Sequence, residues 1–252
     1  MSNAYIIERK KLKQWFIVLL TTFACATFLF FEFNDIATFS TPKGPKALYK
    51  VATEKKQVAL TFNISWGEQE VEPIIEQLKK SNIDKATFFL SGAWAERNPD
   101  LVTKIVEAGF EIGNLGYEYK NYPDMTDSEM QRDLIKAHEI LSELTEQKIH
   151  LFRPPNGQFN ETVLKVVEKQ GYSTIHFSVD SKDWTPISKE EMIERATKNT
   201  KQGDIILFHA SDSARKTAEI LPTIAQYLKK QNLTPVSVDE LITNAKTTNK
   251  EM

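Results

Sequence analysis

Residues 58–67 read Val58-Ala59-Leu60-Thr61-Phe62-Asn63-Ile64-Ser65-Trp66-Gly67. Val58, Leu60 and Phe62 are apolar, with β-branched Thr61 between them, which is the composition of a buried strand. The run then breaks into a polar turn that ends in glycine. A strand that stops this way delivers its last side chains to one rim of a sheet, and in α/β proteins ligands sit at that rim. The side chain delivered here is Asn63, with Ile64 beside it. An amide donates and accepts hydrogen bonds but takes no proton near neutral pH.

Working outward, short apolar runs alternate with amphipathic helical stretches. Strands are predicted at Val58–Phe62, Ala86–Leu90, Phe110–Asn114, Ile149–Arg153, Thr174–Val179, Asp204–His209 and Pro235–Val238. The helices between them carry start and stop signals. Asn98 followed by Pro99 reads as an N-cap and first turn, with Gly109 as the stop. Thr126 with Glu129, and Ser188 with Glu191, fit capping boxes. Met130, Leu134, Ala137, Leu141 and Leu144 recur on one helical face. Strands alternating with helices predict a parallel sheet covered by helices, as an open sheet or a closed barrel.

Composition narrows the function classes. A formal net charge of -2 gives no basic field for nucleic acid. The single cysteine, Cys25, lies in an N-terminal apolar run, so the rest of the chain has no disulfide and no cysteine-based metal site. Arg9, Lys10, Lys11 and Lys13 precede that run, which extends uncharged from Trp15 to Phe31. Its length is at the short end of the roughly 17–25 residues that cross a bilayer as a helix. The basic flank places its N-terminal side in the cytoplasm. The rival reading is a cleaved signal peptide, since Ala24-Cys25-Ala26 resembles a small-residue cleavage site; against it, the run continues through Phe28 to Phe31. The expected organisation is a cytoplasmic basic segment (1–14), a transmembrane anchor (15–31), a Pro- and Gly-containing linker (32–50), one extracytoplasmic domain (51–246) and a polar tail (247–252).

Chemistry-bearing residues recur just after the predicted strands. They are Asn63–Gly67; Glu111-Ile112-Gly113-Asn114-Leu115-Gly116-Tyr117-Glu118-Tyr119; Arg153-Pro154-Pro155-Asn156-Gly157; Asp180-Ser181-Lys182-Asp183-Trp184; and Leu207-Phe208-His209. Five groups at the same end of successive strands converge on one cleft. Singly, each has a plainer reading. The Pro-Pro-Asn-Gly run is a turn, Asp183 a loop cap, and His209 a satisfied core histidine. His138 reads as a helix-surface residue, and His150 and His176 as strand residues.

In order and spacing, from about Lys55 to Ala245, these groups resemble the polysaccharide deacetylases, the NodB homology domain of the carbohydrate esterases. Thr-Phe-x-Ile-Ser-Trp-Gly behind a membrane anchor looks most like their sporulation-associated, PdaB-like branch. The resemblance implies a distorted (β/α) barrel and a substrate rich in N-acetylated amino sugars, such as peptidoglycan. It also implies metal-assisted amide hydrolysis, in which a divalent metal such as zinc polarises the acetyl carbonyl and its water. A carboxylate base and a histidine acid move the protons.

Carried over by position, the base is Asn63 and the metal ligands are Ile64, Leu115 and Tyr119. Ile64 and Leu115 have no donor atom, and a phenol of pKa about 10 is a poor ligand. No metal cofactor is therefore expected. The supporting residues match: Arg153 for the arginine that orients the base, Asp180 or Asp183 for the aspartate beside the histidine, Trp184 for the adjoining aromatic, and His209 for the general acid. Arg153, without an acidic partner at position 63, is expected either to meet a ligand carboxylate or to pair with Asp180 or Asp183. Trp66, Tyr117, Pro155 and Trp184 are the candidate glycan contacts.

Two functions follow. One is a membrane-held, cell-wall glycan-binding pseudoenzyme on a deacetylase fold. The other is an amide hydrolase with a rearranged site, its carboxylate supplied by Glu68, Glu70, Glu111 or Glu118.

The predicted topology is directly testable. Protease added to intact protoplasts should digest the domain from residue 51 onward, whereas its protection would place that domain inside.

Overall fold

The computed structural model describes residues 40–250 apart from 42 and 43, with side-chain environments from 44 to 245. The predicted anchor at 15–31 lies outside the described residues. No helix among the described residues is long and apolar enough to cross a membrane. Within the predicted linker, Ser40–Thr41 and Gly44–Pro45 form a short antiparallel pair.

The main sheet has eight strands: β1 Gln57–Ile64, β2 Thr87–Leu90, β3 Glu111–Asn114, β4 Leu151–Phe152, β5 Ser173–Thr174, β6 Val179–Asp180, β7 Ile205–His209 and β8 Thr234–Val236. Every pairing is parallel, in the order β5-β4-β3-β2-β1-β7-β6, with β8 beside the first half of β1. Helices α1 Val71–Lys80, α2 Gly92–Arg97, α3 Pro99–Glu107, α4 Asp127–Thr145, α5 Glu161–Lys169, α6 Lys189–Thr197, α7 Thr217–Lys230 and α8 Val238–Lys250 complete the fold.

The connection from β5 to β6 decides between open sheet and barrel. These strands lie at opposite ends of the order, yet only residues 175–178 separate them. Seven strands laid flat would put their edges about 29 Å apart, at about 4.8 Å per interval. Five Cα steps reach about 19 Å at most. The sheet must therefore curl until its edges nearly meet, and the predicted single strand Thr174–Val179 is in fact the segment that crosses the seam. Its backbone bonds go to both sides: His176 N–H donates to Leu48 O, and Ser178 N–H to Ile205 O. Neither His176 nor His150, which precedes β4, is a strand residue as expected.

The pleat of β1 sorts its side chains. Val58, Leu60, Phe62 and Ile64 are fully buried in the cluster under the helices, where Phe62 stacks between Phe88 and Phe208 at 4.8 and 5.6 Å. Ala59 faces the interior cluster with Phe89, Leu115, Leu151 and Ile175, which α8 closes with Val238, Leu241 and Ile242. By the same alternation Thr61 and Asn63 continue the interior row toward the rim. A Phe62→Ala change would cost roughly 3–5 kcal/mol by the usual cavity penalty.

Most local signals hold. Thr126 and Glu129 form the capping box. Ser188 accepts from Glu191 N–H, but the Glu191 carboxylate turns to Arg195 instead of closing a box. Asn98 makes no side-chain cap to α3; its amide closes the preceding helix on Trp94 O at 2.9 Å. His138 is half-buried, with Nδ1 2.6 Å from the Tyr172 hydroxyl, so the surface assignment is corrected.

At the opposite end of the barrel His150 Nε2 lies 3.0 Å from Asp239 Oδ1. That bond, outweighing burial, raises the histidine pKa above its ordinary 6.5. A group whose pKa is raised on folding contributes stability that is fully present below its unfolded pKa and lost as pH rises through the folded one. His150→Gln should therefore lower the unfolding midpoint more near pH 6 than near pH 9. An equal loss at both would mean that the pair adds no charge-dependent stability.

Candidate functional site

Asn63 and His209 are register partners on adjacent strands, at the C-terminal rim. The turn behind His209 is secured by Ala210 N–H donating to Asn63 O at 3.0 Å. Asn63 is 7% exposed and the His209 side chain 14% exposed, so both reach the surface only in part, at the rim where the cleft is expected. Trp184 stands exposed with its ring edge-on to His209 at 6.4 Å, and Trp66 is exposed in the turn three residues after Asn63.

His209 is held by Asp183 on two sides. Its backbone N–H donates to Oδ2 at 2.7 Å, and its Nδ1 lies 2.8 Å from Oδ1. Thr217 at the start of α7 donates to the same Oδ2 at 2.7 Å. Three bonds to a fully buried carboxylate leave the imidazole little freedom, and Nε2 has no hydrogen-bond partner among the described residues. Of the two candidate aspartates, Asp183 is thus the one joined to the histidine. Asp180 caps its own turn through Lys182 N–H and pairs with Lys182 Nζ at 2.8 Å.

Behind Asn63 lies Arg153, fully buried. Nη1 donates to Asn63 Oδ1 at 3.0 Å and Thr61 Oγ1 at 2.9 Å. Nη2 donates to His176 O at 3.0 Å and Nε to Ile175 O at 3.4 Å. The guanidinium lies over the Phe89 ring at 4.1 Å. Both expectations for Arg153 are corrected: it pairs with neither Asp180 nor Asp183, and being buried it cannot itself touch a ligand. Burial without a carboxylate beside it pulls its pKa down to about 9.

The expected metal-ligand positions are filled otherwise. Ile64 is packed under the helices, while Leu115 and, in part, Tyr119 join the interior cluster. Tyr119 takes a left-handed φ of 57°. Burial raises its phenol pKa, against the Asn156 N–H that it accepts from and the nearby Arg153 charge. No group of three or more His, Cys, Asp or Glu that could hold a metal occurs among the described residues. The residues present do not fit a divalent metal.

The remaining candidates divide. Pro155 is buried in a short 3-10 turn. Tyr117 donates to Glu96 on α2 and carries Lys136 of α4 over its ring at 3.6 Å, so its contacts are with those helices. Asp133, on α4, accepts from Tyr117 N–H, Glu118 N–H and the Tyr122 hydroxyl and so pins this loop. Of the possible substitute carboxylates, Glu111 lies at the opposite end of the strands, where it accepts from Thr87 Oγ1 and from the first N–H groups of α8. Glu118 pairs with Lys120, and Glu68 is exposed. Glu70 is half-buried, and burial first, then Asp212, raises its pKa. Sequence reading missed Thr61, Thr217 and the carbonyls of residues 175 and 176, because an ordinary Thr or a backbone oxygen carries no signal. Grooves of about 780 Å3 beside Ile83 and Pro222 and about 540 Å3 beside Val51 and Lys201 include neither Asn63 nor His209.

Residues 50–175 match the family model for polysaccharide deacetylase. A peptidoglycan-N-acetylglucosamine deacetylase of Bacillus cereus is 30% identical over 77% of this chain and 92% of its own. The YlxY protein of Bacillus subtilis is also 30% identical, and the match spans 79% of this chain but only 61% of that longer relative. Among solved structures, a CE4 family pseudoenzyme from Bacillus anthracis superimposes with a TM-score of 0.75 at 33% identity, over 80% of this chain and 70% of that one. A mutant of that pseudoenzyme with restored enzymatic activity gives the same TM-score. The chain belongs to the polysaccharide deacetylase family.

The Arg153 environment yields a stability prediction. Asn63→Asp places a carboxylate 3.0 Å from a buried cation that lacks one. A charged hydrogen bond of this kind is worth about 1.5–3 kcal/mol. The variant should be more stable at neutral pH. Because the new carboxyl would have a depressed pKa, the gain should fade as pH falls below about 4. Denaturant unfolding at both pH values checks this; a less stable variant at neutral pH would show that Arg153 needs no anion.

Proposed function

We propose that this protein binds cell-wall glycan of the peptidoglycan type through the Asn63–His209 cleft and does not carry out metal-dependent deacetylation. The observation that carries the reading is the cleft floor itself. An amide stands where the family resemblance expects the base, beside an intact His209–Asp183 pair and between two exposed tryptophans. A metal in such a site would polarise the amide carbonyl and the attacking water. With Ile64 and Leu115 at two ligand positions, no step runs through one here. Asn63 cannot accept the water's proton.

Sugar rings present apolar C–H faces and hydroxyl rims, and flat aromatic platforms with a few fixed polar groups suit both. Trp66 and Trp184 supply the platforms. The names of the deacetylase relatives support peptidoglycan as the ligand class, and the similarity to a pseudoenzyme supports the absence of turnover. The sporulation-associated assignment rests on the Thr-Phe-x-Ile-Ser-Trp-Gly resemblance. The single-pass anchor, with the domain outside the membrane, rests on the basic flank before Trp15.

The test pairs metal analysis and acetate release on the purified domain with calorimetry against N-acetylglucosamine oligomers. No stoichiometric zinc, no acetate and weak binding are expected. Trp66→Ala, once shown to be folded, should weaken that binding about fivefold or more. Acetate release that needs His209 and a nearby glutamate would instead establish the rearranged hydrolase.

A further inference from the structure

Asn63 is oriented by necessity. A guanidinium has only donors, so the atom facing Arg153 Nη1 at 3.0 Å must be the amide oxygen. The amide nitrogen therefore points the other way. It has no hydrogen-bond partner among the described residues. It is not sealed off either: the one side-chain polar atom that is both buried and unpartnered among the described residues is Asn121 Oδ1. The 7% of Asn63 that reaches solvent thus includes a donor with nothing to donate to. Next to it, on the neighbouring strand, His209 Nε2 likewise has no hydrogen-bond partner among the described residues.

The charges behind these two groups differ. Asp183 is enclosed by its three donors, on the Nδ1 side of the ring. Arg153 has only neutral acceptors, namely a hydroxyl, an amide oxygen and two carbonyls. A buried cation without an anion favours one nearby in the low dielectric of the floor, where Coulomb interactions are strong. Arg153 cannot reach the cleft itself, but it polarises the Asn63 amide that does.

We propose that the cleft floor seats a carboxylate, which accepts from Asn63 Nδ2, lies beside His209 Nε2 and is favoured by the Arg153 charge one hydrogen bond behind. An aspartate at position 63 would present oxygen in the same place and repel such a group. The altered residue thus reverses the polarity of the floor instead of merely silencing it. This deepens the glycan-binding reading and rests on it for the ligand class: the preferred sugar is one that carries an acid, as a 3-O-lactyl amino sugar does, over its neutral N-acetylated counterpart.

The test uses sodium acetate as the smallest probe, against sodium chloride at equal ionic strength, followed by side-chain NMR of Asn63 and His209. N-acetylmuramic acid and N-acetylglucosamine are then compared by calorimetry. Acetate should shift both side chains, and the acidic sugar should bind about tenfold or more tightly than the neutral one. Asn63→Asp should remain folded, lose the acetate response and level the two sugars. His209→Gln should keep a reduced response. No acetate response in wild type, equal affinity for the two sugars, or full binding by folded Asn63→Asp would overturn the proposal. Equal, Trp66-dependent binding of both sugars would overturn the carboxylate seat and leave the glycan reading standing. An Asn63-dependent acetate response with no sugar binding would do the reverse.

Discussion

The guanidinium of Arg153 has four hydrogen-bond acceptors around it and no anion. Those acceptors come from two parts of the barrel. Thr61 and Asn63 lie on the central strand β1, whereas Ile175 and His176 belong to the short segment that crosses from one edge of the sheet to the other. Arg153 itself follows β4, and its N–H donates to Asn114 O at the end of β3. One side chain thus ties the hub strand to the seam. An isolated buried charge is expensive, and a net of hydrogen bonds plus an aromatic face offsets part of that cost. The site inherits its shape from this arrangement, because Arg153 decides which way Asn63 points.

The fold was legible in the sequence wherever periodicity carries it. The runs ending in Phe62, Leu90, Asn114 and His209 became neighbouring parallel strands, and the Thr126–Glu129 box begins the long helix that it predicts. It was not legible at the seam. The stretch Thr174–Val179 has the β-branched, aromatic composition of a strand, and local composition cannot tell a strand from a chain that spans the gap between two strands. Only the requirement that four residues join opposite edges reveals the curl. Asn98 shows the same limit on a smaller scale: its sequence position suits a cap, but the Trp94 carbonyl of the preceding helix competes for the amide and wins.

The candidate site divides in a similar way. Residues whose meaning lies in their own chemistry were found: Asn63, Asp183, Arg153 and His209 meet within hydrogen-bonding reach in two linked sets. Residues whose meaning lies in orientation were misplaced. Tyr117 sits beside the motif loop in sequence, yet the Asp133 carboxylate on α4 holds that loop by its N–H groups and leaves the ring against Glu96 and Lys136. Glu111 opens its strand, at the end away from the cleft, and serves the start of α8. Spacing along a chain gives the element on which a residue lies but not the end of that element at which its partners wait.

The seam gives Arg153 a role that needs no acid beside it. If the arginine served only a carboxylate at position 63, it would here be a buried charge with no compensating role, and an apolar residue of similar size would suit the site better. Here its Nε and Nη2 hold the carbonyls of Ile175 and His176. Removing the guanidinium would strip both of donors at the point where the sheet closes, and a buried carbonyl left unpaired costs about 1–3 kcal/mol. The barrel therefore uses the arginine, and the amide at position 63 gives it a neutral acceptor that takes no proton near neutral pH. A charge that the fold uses, set against an amide oxygen, is what leaves a donor facing the cleft.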